Sequence, residues 1–251
     1  MTAIPQGRIR RAALVTATCA LVVTGTVALS GCSEDPDAGT NGVGKLSADK
    51  IQSRTKAAAG SVDAVRLSGT VVTSGHTYQL DMRLKSEGGT GSVTSEGATF
   101  HVLRIGERLY LKADADFWSH ADGTGHKSGD AAAAGKLGGK YVKVPQGDPA
   151  YKRFSGFTDK AVLLDGLLSL HGKLATDGHH DQSGTPTIRI TGDSGSGGTL
   201  DVSLEGKPYP LRLVRAGGAG TLSFSDWGKD FAVTQPAKNE TVDYGKQLPT
   251  S

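Results

Sequence analysis

Tyr78-Gln79-Leu80-Asp81-Met82-Arg83-Leu84-Lys85 alternates apolar and polar residues without a miss. A period of two marks an extended strand with one dry face and one wet face, the arrangement of an antiparallel sheet lying on a core. Similar text surrounds it. Residues 65–72 precede it across a turn at Ser74-Gly75, and Gly88-Gly89 is expected to turn the chain into a strand over 91–95. Further strands are expected over 99–105, 108–112, 141–144, 187–191, 199–205, 210–215, 221–225 and 229–234. The turns between them are short and glycine-rich, as at Gly106-Glu107, Gly206-Lys207 and Gly217-Gly218, which favours strands pairing in sequence order as a meander.

Three segments depart from strand text. Good helix formers fill 51–62, with Ser47 placed to cap a short first helix. Residues 116–137, with Phe117-Trp118 and the alanines 131–134, read as a helical excursion. Residues 158–174 carry Leu163, Leu164, Leu167, Leu168, Leu170 and Leu174, apolar over more than half of a helix surface, so this is expected to be the main helix, packed on the concave face of the sheet. Residues 176–186 read as a polar loop and 235–251 as a polar tail. The expected walls of an apolar site are Leu163, Leu164, Leu167 and Leu168 on the helix and Leu80, Met82, Leu200, Val202, Leu211 and Leu213 on the strands. Two such surfaces either interdigitate as ordinary core or leave a slot walled by hydrocarbon, and a slot of that kind takes acyl chains.

The N-terminus is different in kind. Arg8-Ile9-Arg10-Arg11 is followed by an apolar run over 12–29 and then by Leu29-Ser30-Gly31-Cys32, the basic, apolar and small-residue zones of a secretory leader. The run is diluted by threonines and a glycine and ends in small residues, which argues against a permanent membrane span. The three leader arginines account for the whole net charge of +3, so a mature chain is neutral and has no general electrostatic reason to bind nucleic acid. Of the two cysteines, Cys19 falls inside the leader. With 251 residues the chain has enough length to hold its fold by a core, and at 6% aromatic residues that core is mainly aliphatic.

Leu29-Ser30-Gly31-Cys32 resembles the lipobox of bacterial lipoproteins. The resemblance implies cleavage before Cys32, acylation of its thiol and retention on the outer face of the cell membrane; two acyl chains hold a protein there stably where one would not. The organisation expected is therefore a leader over 1–31, lipidated Cys32 with a flexible tether to 45, one domain over 46–243 and a polar tail over 244–251. Within the domain, Ile105-Gly106-Glu107-Arg108-Leu109-Tyr110-Leu111-Lys112, Phe117-Trp118, Gly139-Lys140-Tyr141-Val142-Lys143-Val144, Tyr209-Pro210-Leu211-Arg212-Leu213 and Leu222-Ser223-Phe224-Ser225-Asp226-Trp227-Gly228 recur in the order and spacing of a known group. In these strings the chain resembles the actinobacterial LppX/LprG lipoprotein family, whose fold is similar to that of the carrier LolA. The resemblance implies an α+β fold, a curved antiparallel half-barrel wrapped over one main helix and short helices. It also implies an envelope lipid or glycolipid as ligand, and it supplies no catalytic motif.

Other chemistry is outweighed by simpler readings. Gly192-Asp193-Ser194-Gly195 mimics a serine-protease nucleophile string, yet no histidine occurs in the context such a base needs, and the glycines read as a hairpin turn. His179-His180-Asp181 lacks a chelating spacing, so a solvated loop is expected and neither metal nor cofactor. The expected function is a lipid-anchored, non-catalytic binder or carrier of an envelope lipid. The alternative is a structural or sensory module with a filled interior, contacting another envelope protein.

Overall fold

The computed structural model describes residues 35–73, 75–120 and 135–243. The leader, Cys32, the tail over 244–251 and most of the alanine-rich excursion lie outside the described residues. The strands are β1 Ala64–Thr73, β2 His76–Lys85, β3 Gly88–Ser95, β4 Ala98–Ile105, β5 Arg108–Ala113 and β6 Tyr141–Val144 in the first half. The second half adds β7 Leu174–Gln182, β8 Thr185–Gly192, β9 Thr199–Ser203, β10 Pro210–Val214, β11 Thr221–Ser225 and β12 Thr241–Asp243. They form one curved, unclosed sheet in the order β12-β6-β5-β4-β3-β2-β1-β11-β10-β9-β8-β7. Every pairing is antiparallel except β12 with β6, which is parallel. The chain thus meanders outward from β1 to β6, crosses back to the far edge at β7, and meanders inward until β11 pairs with β1. The fold class is the expected one, α+β with a curved antiparallel sheet.

The α-helices lying wholly within the described residues are α1 Ala48–Ser61, α2 Ala115–His120, α3 Pro149–Ser155 and α4 Lys160–Leu167. In α1, Ala48, Ile51, Thr55 and Ala59 are buried, a stripe at spacings of three and four that turns one face of the helix inward. Ser47 does stand at its N-cap, but without a side-chain capping hydrogen bond. The concave face is built by alternation. Leu80 pairs with Val93, Met82 with Gly91 and Leu84 with Gly89, and Val93 and Gly91 continue to Phe100 and Val102 on β4. One charged group lies in this inward row: Arg104 donates through Nη2 to the Thr158 carbonyl at 2.8 Å and through Nε to its hydroxyl at 3.0 Å, which satisfies the guanidinium at the rim of the core.

Several expectations are corrected. The apolar stretch over 158–174 is not one helix, and α4 is not the longest; α1 is. Helix α4 stops at Leu167, just after the low-propensity Gly166, and Leu168 to Lys173 run along the end of the sheet, where the His171 N–H donates to the Gly197 carbonyl at 3.0 Å. The expected loop over 176–186 is strand β7 and its hairpin into β8. As an edge strand with no dry face, β7 carries no apolar alternation to betray it. Gly88-Gly89 belong to β3, the turn falling one step earlier at Ser86-Glu87. The tether does not reach Lys45: Asn41 donates through Nδ2 to the Ser203 carbonyl at 2.9 Å, and Val43 is 1% exposed.

The strand expected over 229–234 does not form either. That segment is the start of a strap crossing the outer face of the sheet. Asp230 pairs with Lys85, whose ammonium stands over the Phe231 ring at 5.0 Å; Gln235 accepts from Arg108; and the Asn239 carbonyl accepts from Lys140 at 3.0 Å. Leu103 and Tyr110, opposite each other on β4 and β5, face outward and are buried under it, apart from the main core. Residues 241–243 then add to the β6 edge, so part of the expected polar tail is a strand.

Candidate functional site

The structure brings seven of the ten expected wall residues into one core cluster. Leu80, Met82, Leu164, Leu168, Leu200, Val202 and Leu213 are each at most 4% exposed, and Leu163 and Leu167 pack against them half-buried. Leu211 does not join them. A β-bulge shifts the β10 register between Pro210 and Arg212, so Pro210 faces inward opposite Val202 and Leu211 is rotated off the dry face. A bulge leaves no mark in an apolar string, so alternation alone mis-assigned that residue.

The surfaces interdigitate. Two small clefts among the described residues flank α4. One, of about 160 Å³, opens between α1 and α4 and is lined by Lys56, Lys160, Leu164, Asp165 and Leu168. The other, of about 90 Å³, lies at the C-terminal end of α4 beside Leu167, His171, Leu213 and Arg215. A space of the first size holds a ring or a few methylenes.

The polar lip of the larger cleft was not anticipated. Lys56 Nζ lies 3.1 Å from Asp165 Oδ1 and donates to Ser169 Oγ at 2.6 Å, which ties α1 to α4 across the opening. Lys160 is 5% exposed, and burial holds its pKa below the ordinary lysine value. Its ammonium donates to backbone carbonyls at the end of α1. The one available signal was a lysine opening an otherwise apolar helix. The roof itself is uneven: α4 is eight residues long, and Val162 on it is 65% exposed.

The protease-like string closes the β8–β9 turn. Ser194 is exposed with φ 55°, and the Asp193 carboxylate accepts from the Lys173 N–H at 2.8 Å. His179 and His180 stand on β7, not in a loop. His179 Nε2 is 3.1 Å from Asp37 Oδ1, and His180 Nε2 is 2.9 Å from the Asp177 carbonyl. Among the described residues, no group of three or more histidine, cysteine or acidic side chains is placed to hold a metal. Among the same residues, no helix is long and apolar enough to cross a membrane.

No protein-family model and no curated protein matches the sequence. Solved structures do. LprF from Mycobacterium bovis matches at 16% identity with a TM-score of 0.52, over 76% of this chain and 97% of that one. Lipoprotein LppX from Mycobacterium tuberculosis matches at 14% identity and a TM-score of 0.42, over 74% of this chain and 99% of that one. An uncharacterized conserved protein from Thermus thermophilus follows at 12% identity and a TM-score of 0.34, over 78% of this chain and 98% of that one. The likeness to LprF establishes a shared fold.

Proposed function

We propose that this chain is an exported lipoprotein, anchored to the outer face of the cell membrane through acylated Cys32 after removal of residues 1–31. In this reading its domain binds or carries an envelope lipid or glycolipid and catalyses nothing. The observation that carries the binding reading is the roof of the core. The concave face is hydrocarbon throughout its centre, yet part of its cover is the eight-residue α4, with Leu163 and Leu167 half-buried. An acyl chain entering there replaces leucine contacts with methylene contacts, each buried methylene being worth about 0.8 kcal/mol. Because the closed clefts are too small for such a chain, binding requires α4 to lift, and Lys56, Asp165 and Ser169 then offer polar partners to a headgroup.

The filled core favours a second reading, the structural or sensory module. Solvent extraction of the purified domain, expressed without its leader in a lipid-rich host, followed by mass spectrometry separates the two. A stoichiometric amphiphile supports the carrier, and a lipid-free domain that also takes up none from vesicles supports the module. For the anchor, Cys32→Ala should abolish incorporation of labelled fatty acid and release the protein from the membrane fraction; unchanged labelling would end that reading.

A further inference from the structure

The segment that begins at Asp35 is built into the domain. From Asp35 onward the chain is held at successive points: Asp35 pairs with Lys45 at 2.5 Å, and Asp37 Oδ1 meets His179 Nε2 on β7 at 3.1 Å. The Asn41 N–H and Nδ2 donate to the Leu204 and Ser203 carbonyls at 2.8 and 2.9 Å. Val43 seals the attachment as part of the main core. Three residue steps separate Cys32 from Asp35, a reach of about 10 Å even when fully extended. We propose that this short reach keeps the β7 edge of the sheet facing the lipid headgroups when the domain is anchored. This rests on the reading that Cys32 carries the acyl groups.

The chemistry of that edge suits a lipid surface. β7 is nine residues long and terminates the sheet, so among the described residues one side of its backbone has no strand partner. An open edge invites pairing with another chain, and proteins commonly bulge or cover such edges. Here a bulge lies between Thr176 and His179, and headgroups can both cover the edge and hydrogen-bond its free groups. The carboxylates on this side have partners: Asp35 has Lys45, Asp37 has His179, Asp177 has His180 and Arg189, and Asp181 accepts from the Gly184 N–H at 2.7 Å. Each of these four carboxylates therefore meets the headgroups with a donor already at hand.

The test uses the mature, acylated chain in phosphatidylcholine vesicles. With Cys19 removed in the leader and the Cys32 sulfur in a thioether, an introduced cysteine is the single free thiol. A fluorophore is placed on Ala175→Cys, on the exposed β7, or on Thr77→Cys, exposed on β2. These strands lie six apart in the sheet, about 29 Å at strand spacing. Quenching by lipids with nitroxide headgroups should be several-fold stronger at position 175 than at 77, and Asp37→Ala with Asn41→Ala, which frees the leash, should bring the two together. Equal quenching in the parent chain, or stronger quenching at 77, with the acyl mass present on Cys32 overturns the orientation and leaves the anchor standing. Absence of the acyl mass overturns both.

Discussion

The Lys160 ammonium donates to the Val62 carbonyl at 2.6 Å and lies 3.4 and 3.3 Å from the carbonyls of Ala59 and Gly60. The first residue of α4 thus closes the last turn of α1, where carbonyls have no partner within the helix and a cation complements the helix dipole. Lys160→Met should lower unfolding free energy by about 1–3 kcal/mol in urea titrations, because buried carbonyls lose their donor. Burial holds the folded-state pKa of Lys160 below its unfolded value. As pH rises from neutral, the folded protein therefore loses this proton first. Between the lowered pKa and the ordinary value near about 10.4, the unfolded chain binds more protons and stability contributed by this group rises with pH. The stability difference between wild type and Lys160→Met should widen over that alkaline window; a difference that shrinks there would contradict the assignment.

Gly69 lies within β1 with φ 132°, opposite Leu80 on one side and Leu222 on the other. A Cβ at this position would overlap the Thr221 carbonyl oxygen. Gly69→Ala should cost about 1–3 kcal/mol from backbone strain alone, read as a lower urea midpoint at unchanged m-value.

Leu167 and Leu168 separate the two functional readings. Leu168 is 1% exposed, so Leu168→Ala should cost about 2–5 kcal/mol in either case. Leu167 is half-buried beside a cleft. If α4 lifts over a ligand, Leu167→Trp should reduce co-purified lipid strongly while moving the denaturation midpoint little. A domain destabilised by the substitution that never carried lipid favours the filled module.

Thr55 sits on the buried face of α1 with its hydroxyl unpaired and no solvent exposure. Thr55→Val keeps the shape and removes the desolvated group, so it should raise stability by about 1 kcal/mol.

The strap makes an independent prediction. Truncation after Phe231 removes the Arg108–Gln235 and Lys140–Asn239 contacts and strand β12. Leu103 and Tyr110 should then become exposed on the outer face, seen as new binding of an apolar dye and faster iodide quenching of tyrosine fluorescence. Unchanged dye binding would show that another element covers them.

What the sequence determined by itself follows from periodicity. The alternation of Leu80, Met82 and Leu84 with Asp81 and Arg83 specifies which face of β2 is dry. Short glycine turns specify that its neighbours in sequence are its neighbours in the sheet, because both signals act within a few residues. The tertiary structure decided what no local pattern contains. β7 is a strand only because β8 lies beside it, and its polar residues carry no burial signal. β12 runs parallel to β6 because the strap brings it there. Leu211 leaves the dry face through a bulge that depends on the β9 register, and residues 41–45 dock because the Ser203 and Leu204 carbonyls are there to receive Asn41. Whether leucines on α4 and the sheet enclose space or fill it is likewise a matter of how two surfaces approach. Their apolar character was legible; the distance between them is set by packing of the whole core.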